Sequence, residues 1–286
     1  MAFLKNIESY KYFNIFGYHL TKEKLMDSTH INTNKKQNLF IILSTLFLTN
    51  ALIAEVIGAK ILSFEKIFGL APMALDFIGD TSLSLNMSVG VIIWPIVFIL
   101  SDIINEYFGT NGVKRISFIG AGMIAYAFII IYFATQSPPA DFWLKNNAVD
   151  PDGNPFNINF AYSLIFSQGM GIIIGSITAF LVGQLVDAYV FKYIRKLTQH
   201  KHLWLRATGS TVVSQLVDSF LILLIAFYFL GNWTLEQVLA VGLIQYIYKI
   251  ALAILFTPVI YLMHKIIDGY LGKDKSNEMQ DIAQKL

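Results

Sequence analysis

An all-α integral membrane protein with six transmembrane helices and both termini in the cytoplasm is the fold class this sequence predicts. Three observations point there. Of 286 residues, 55% are hydrophobic and only 14% charged, where soluble domains carry about 25% charged residues. Uncharged blocks such as ISFIGAGMIAYAFIIIYFATQS (116–137) are long enough for a hydrocarbon core of about 30 Å, which takes roughly 20 helical residues. Finally, lysine and arginine lie unevenly between the blocks: 17 of the 21 fall on one predicted side, and the excess marks the cytoplasm.

The elements follow in order. Residues 1–37 form a polar cytoplasmic tail with six lysines; no short apolar core with a small-residue cleavage site precedes the first span, which argues against a removed signal peptide. The six spans fall at about 38–62, 85–108, 115–136, 160–190, 208–230 and 237–263, within a transmembrane domain of 38–265. Pro95 removes a backbone donor from span two and predicts a kink there. Between spans two and three lie Lys114 and Arg115, on the cytoplasmic side. The segment 138–160 is rich in Pro, Asn and Asp and predicts an external loop. In span four, GMGIIIG (169–175) offers small residues for close helix packing or a local break. KHLWLR (201–206) and GNW (231–233) bound span five, and 266–286 form a cytoplasmic C-terminal tail. Tyr132, Trp143, Tyr162 and Trp233 sit where interfacial anchors are expected.

Polar residues inside the spans are few, and each is expensive in lipid, so they face the bundle interior or water. They are Glu55, Lys60, Asp102, Glu106, Asp187, Asp218 and Lys249, with the amides Asn50, Gln168, Gln184, Gln215 and Gln245. Helical spacing of three or four residues puts Asp102 with Glu106, Gln184 with Asp187, Gln245 with Lys249, and Thr211, Gln215 and Asp218 on shared faces. VGQLVDAYVF (182–191) and VSQLVDSFLI (213–222) repeat one arrangement, an amide and a carboxylate three residues apart. Asp218 and Lys249 reach similar depth near the midplane, where carriers often place substrate. A proton or a cationic ligand would relieve repulsion between Asp102 and Glu106. The alternatives are structural: an Asp218–Lys249 ion pair, Asp187 and Glu106 paired with Arg195 or Arg115, and Gln–Asp pairs as interhelical glue. Lys60 is expected to snorkel to the outer surface.

Absences narrow the chemistry. The chain has no cysteine, hence no disulfide framework and no Cys-based metal or nucleophile site. It has no P-loop, no HExxH and no GxSxG, and its five histidines fall outside the predicted spans. Movement of a solute is therefore favoured over an intramembrane enzyme or an assembly factor. No cofactor or metal is expected. The net charge of +2 calls for no nucleic acid partner.

PIVFILSDIINEYFGTNGVKR (95–115), IGSITAFLVGQLVDAYVFKYIRKLT (174–198), HLWLRATGSTVVSQLVDSFLI (202–222), TNALIAEVIGAKI (49–61) and YIYKIALAILFTPVIYL (246–262) together resemble the queuosine-precursor transporter family, also called the vitamin-uptake-transporter family. The resemblance spans about 40–265. Ala207 and Thr208 depart from it, standing where the pattern has asparagines, in what is expected to be a cytoplasmic loop. The resemblance implies uptake of a 7-deazapurine across the bacterial inner membrane: 7-cyano- or 7-aminomethyl-7-deazaguanine, or queuine. On that reading Asp218 and Asp102 or Glu106 bind the ring edge or amine. Gln184, Gln215 and Lys249 complete the hydrogen bonds, Asp187 and Asn50 add to the site, and Trp94, Tyr107 or Tyr246 stacks on the ring. The lipid bilayer is the other partner and a homodimer is left open. The rival within transport is a substrate-binding membrane subunit of an energy-coupling-factor importer that needs a separate ATPase module.

Overall fold

The computed structural model describes residues 34–69, 86–167, 170–198 and 202–285, with the short strands 75–76 and 82–83. Most of the N-terminal tail, and with it four of its lysines, lies outside the described residues, as does Gln168.

Five helical stretches are long and apolar enough to cross a membrane: Asn34–Ile57, Trp94–Gln136, Ile158–Leu197, Leu203–Phe229 and Leu235–Leu271, the third taken across residues 168–169. Helix α1 is Asn34–Ile57. A small cap follows it. Strand β1 (Ile61–Ser63) leads to the single turn α2 (Phe64–Ile67). Strands β2 (Leu75–Asp76) and β3 (Ser82–Leu83) pair antiparallel, and β4 (Asn86–Ser88) returns to β1 with Ile61 opposite Ser88. Lys60 is exposed in this cap, and its carbonyl accepts a bond from Val89 N at 2.8 Å.

Helix α3 runs from Trp94 to Gln136, 43 residues, or about 64 Å at 1.5 Å per residue, roughly twice a bilayer core. Gly109 breaks it, with φ 70° and ψ −177°, a conformation open to glycine and costly for other residues. The break reverses the chain. A Cβ on Gly112 would lie 2.7 Å from the Cβ of Phe108 and 3.4 Å from Cγ2 of Ile104, although residues eight apart in a straight helix are about 12 Å apart. Helix α1 touches both arms: the tilted Phe40 and Phe108 rings are 4.8 Å apart and the Gly120 position lies 3.4 Å from Leu48; just ahead of α3, the Gly90 position lies 2.6 Å from the Ala54 carbonyl. The connection expected between residues 108 and 115 is thus a bend at Gly109 inside continuous helix.

Short helices α4 (Asp141–Asn146) and α5 (Ile158–Phe166) frame the 138–160 segment. Helix α6 (Met170–Leu197) then packs along α7 (Leu203–Leu223) and its π-helical extension Leu224–Phe229. A stripe of small residues makes this close: Gly171, Gly175, Ala179 and Gly183 recur every four residues. Positions 171 and 175 come within 3.1 Å of the Cβ atoms of Leu230 and Ala226, and position 183 within 3.3 Å of the Asp218 Cβ. Such stripes let helix backbones approach in lipid.

Helix α8 (Leu235–Leu271) opens with a capping box between Thr234 and Gln237 and contains Pro258. It runs past the expected end at 263, so His264 is inside it, half-buried against the Tyr107 ring at 5.2 Å. Gly272, at φ 87°, turns the chain into α9 (Lys273–Lys285). Within the segment expected to be a cytoplasmic tail, α9 buries Ser276, Met279 and Ala283 against the bundle. Around the perimeter, Ile41, Leu46, Phe118, Ile129, Phe133, Ile254 and Leu255 are exposed, an apolar belt suited to lipid.

Candidate functional site

A narrow cleft opens between the first arm of α3, α7 and α8. It holds about 470 Å³ of empty space, a figure that includes the part open to its surroundings. Most of its wall is apolar, from Val91, Phe98 and Leu252 to Ile260. Three side chains break that pattern: the Trp94 indole, the Asp102 carboxyl and the Lys249 ammonium, with Thr208 and Thr211 beside them. The Trp94 ring lies 6.0 Å from that of Phe98 and 5.9 Å from that of Phe180.

Ala207 and Thr208 line this cleft. They were expected in a cytoplasmic loop, but α7 begins at Leu203, because the polar stretch that suggests a loop ends before the apolar helix face starts. Thr208 Oγ1 meets Thr257 Oγ1 at 3.2 Å.

Behind the cleft, α3 and α6 share a polar seam. Ser101 donates to Gln184 Oε1 at 2.7 Å and the Asn105 amide donates to the Ala188 carbonyl at 3.0 Å. This register sets Asp102 beside Asp187 across the α3–α6 interface, and Asp187 Oδ1 accepts from Ser214 at 3.0 Å. Among the described residues, Asp102 Oδ1, Gln184 Nε2 and both polar atoms of Gln215 have no hydrogen-bond partner, although all three residues are at least 97% buried. Each such group costs about 1–3 kcal/mol if nothing fills the place. Gln184, Asp187 and Gln215 do not line the cleft; they stand one shell behind it.

The other acids take different partners. Glu106 is fully buried and sits between two guanidinium groups, Arg206 at 2.7 Å and Arg195 at 3.4 Å. Arg195 also donates to the Glu106 carbonyl at 3.1 Å and to the Gln280 carbonyl of α9 at 2.7 Å. The cluster therefore ties α3, α6, α7 and α9 together, and the pairing of Glu106 with Arg195 is the structural alternative weighed from the sequence, extended by Arg206. Asp218 binds Lys249 at 2.6 Å. Tyr107 has no place in the cleft; its hydroxyl donates to Asp268 at 3.0 Å and contacts His264 Nδ1 at 3.0 Å. Asn50 stands apart and donates to the Leu46 carbonyl of its own helix at 2.8 Å. Glu55 accepts from Ser176.

The repeated Gln-x-x-Asp motif has a geometric meaning. Gly183 faces Asp218, and Asp187 faces Ser214. Adding 31 to the α6 partner of each contact gives the α7 partner of the other, so a local two-fold relates the motifs across antiparallel helices.

The model of the family described as "Putative vitamin uptake transporter" matches residues 88–263. A Bacillus subtilis (strain 168) protein named "Probable queuosine precursor transporter" is 26% identical over 184 residues, 64% of this chain and 74% of the relative. The Escherichia coli (strain K12) "Queuosine precursor transporter" is 24% identical over 209 residues, 69% of this chain and 82% of the relative. A Haemophilus influenzae relative, also named "Probable queuosine precursor transporter", is 24% identical over 180 residues, 61% of this chain and 67% of the relative. No solved structure matches the chain. With a match that takes in every helix lining the cleft, this multi-pass chain belongs to the vitamin-uptake-transporter family of queuosine-precursor transporters.

Proposed function

We propose that the protein is a carrier importing a queuosine precursor, 7-cyano- or 7-aminomethyl-7-deazaguanine or queuine, across the bacterial inner membrane. The first arm of α3, lengthened by the 3-10 turn Val89–Ile92 ahead of it, and the second arm each cross, giving six crossings. Both termini are cytoplasmic, because Lys114, Arg115, Arg195, Lys196 and Arg206 flank the connections on the same side as the lysine-rich tails. The observation that carries the reading is the cleft, where an aromatic ring, a carboxyl and an ammonium meet in an apolar slot. A guanine-like edge presents adjacent N–H donors that one carboxylate accepts, and a carbonyl that takes a donor. Asp102 fits the first role and Lys249 the second. Lysine has three N–H donors, so Lys249 can keep its bond to Asp218 while donating to the ring carbonyl. Trp94 supplies the stacking face.

Relatives named for queuosine precursors support this substrate class. Gln184, Asp187 and Gln215 act from behind the cleft, and Glu106 with Arg195 and Arg206 holds the helices that form it. The test is tRNA queuosine content in cells that cannot make the precursor and depend on its import. Asp102→Ala and Lys249→Met are expected to abolish salvage at normal expression. Unchanged queuosine in both would refute the cleft assignment.

A further inference from the structure

The acidic seam behind the cleft holds more negative charge than its bases balance. Five charged side chains share this layer: Asp102 and Glu106 of α3, Asp187 and Arg195 of α6, and Arg206 of α7, none more than 4% exposed. Glu106 occupies both guanidinium groups. Neither Asp102 nor Asp187 has a base within ion-pair distance among the described residues. They face each other, Asp187 takes the Ser214 hydroxyl, and Asp102 Oδ1 has no donor while its side chain lines the cleft. Two facing carboxylates this deeply buried strongly disfavour ionising together. With one proton between them, the layer of three acids and two bases is neutral; without it, one negative charge is uncompensated at membrane depth, which is expensive.

We propose that the Asp102–Asp187 carboxyl pair is a proton-binding site that couples precursor import to proton entry. The inference rests on the carrier reading and adds its coupling ion. Asp102 is the member that reaches the cleft, so the proton arrives on Asp102 from external water. Its O–H bond then breaks as an O–H bond forms on Asp187. That leaves the Asp102 carboxylate free to accept the N–H donors of the substrate edge. A bound heterocycle displaces cleft water, so the loaded site closes only when the layer is neutral. Once the substrate leaves, water solvates Asp102 again, the proton departs to cytoplasmic water, and the wet, ionised site is tolerated. Other ionisable groups border the layer. Lys249, bound to Asp218, faces it across the cleft. Tyr107 of α3 and His264 of α8 neighbour Glu106, Asp268 of α8 bonds Tyr107, and the exposed Asp281 of α9 neighbours Arg195.

The experiment uses the full chain in proteoliposomes with pyranine inside, potassium and valinomycin holding the potential at zero, and labelled 7-cyano-7-deazaguanine outside. For one proton per substrate, an external pH one unit lower should drive accumulation of about tenfold, with acidification inside that depends on substrate. Asp187→Asn should bring the accumulation ratio to about one, whereas His264→Gln should keep it. Exchange of labelled for unlabelled substrate at equal pH tests the carrier reading separately. No exchange would overturn that reading, and this inference with it. Exchange with no response to the gradient, or with alkalinisation inside, would overturn the coupling alone. If Asp187→Asn does not fold, the wild-type pyranine signal decides.

Discussion

The same hexapeptide pattern serves opposite ends in two neighbouring helices. In α7 the aspartate of VSQLVD has Gly183 across from it. Its other neighbour is Lys249 of α8, which binds Asp218 at 2.6 Å. In α6 the aspartate of VGQLVD has Ser214 in the related place; the hydroxyl bonds Asp187, and its other neighbour is a second acid, Asp102. A glycine-to-serine difference within the motif thus accompanies the difference between a charge that is neutralised and one that is not. Burial alone does not assign a role to an acid; the residue opposite does.

That contrast can be broken from its most stable corner first. Arg206→Ala removes the shorter of the two bonds to Glu106, a residue with no access to water. Breaking a buried ion pair costs about 3–5 kcal/mol, so thermal melting in detergent should show the largest loss of any change discussed. A melting point close to wild type would mean that Glu106 is not held by its bases.

The next pair bears on the two motifs directly. Asp218→Asn leaves Lys249 without its counter-ion in a site only 15–19% exposed, and about 1–3 kcal/mol should be lost. Asp187→Asn keeps an acceptor for Ser214 and removes a like charge facing Asp102, so stability should stay within about 1 kcal/mol of wild type or rise. Equal losses at both positions would show that the two aspartates have equivalent surroundings. The bend of α3 matches the Asp218 loss in size: Gly109→Ala and Gly112→Ala should each cost about 1–3 kcal/mol by forcing an unfavourable φ or a 2.7 Å contact, read by the same melting measurement.

Much of this was legible in the sequence, for physical reasons. Apolar length marked the spans, since lipid admits little else. The rarity of charge within them singled out Asp102, Lys249 and Asp218. Trp94 stood out less, because most aromatics near span ends are anchors. What periodicity cannot supply is which helix faces which. It could not separate Glu106, with two bases, from Asp102, with none, or set Asn50 outside the cleft. Nor did it reveal α9, whose apolar residues Met279 and Ala283 are too few in a polar segment to signal burial. Gly109 and Gly112 carried a signal, FGTNG between two spans, but not that the helix continues through the bend.

The smallest effect lies far from the motifs, in the 138–160 segment. There the Asp150 carboxylate closes a turn, accepting from the Asn154 amide and from the backbone of Asn154 and Asp152 at 2.8–3.3 Å. The Asn154 side chain foremost, with these backbone donors, holds the Asp150 carboxyl below its ordinary value. A lowered value in the folded turn means that its contribution is present above the ordinary carboxylate range and is lost as pH falls through the folded value. Hydrogen exchange of the amides of residues 150–156 should therefore lose protection only under strongly acidic conditions, and Asp150→Asn should show no such step.

Equilibrium binding of labelled 7-cyano-7-deazaguanine to the purified protein tests the cleft most directly. The account predicts saturable binding that weakens at least tenfold, about 1.4 kcal/mol, in Asp102→Ala and in Trp94→Ala, while Asn50→Ala binds like wild type. Unchanged affinity in both cleft variants, or a loss at Asn50 alone, would contradict it.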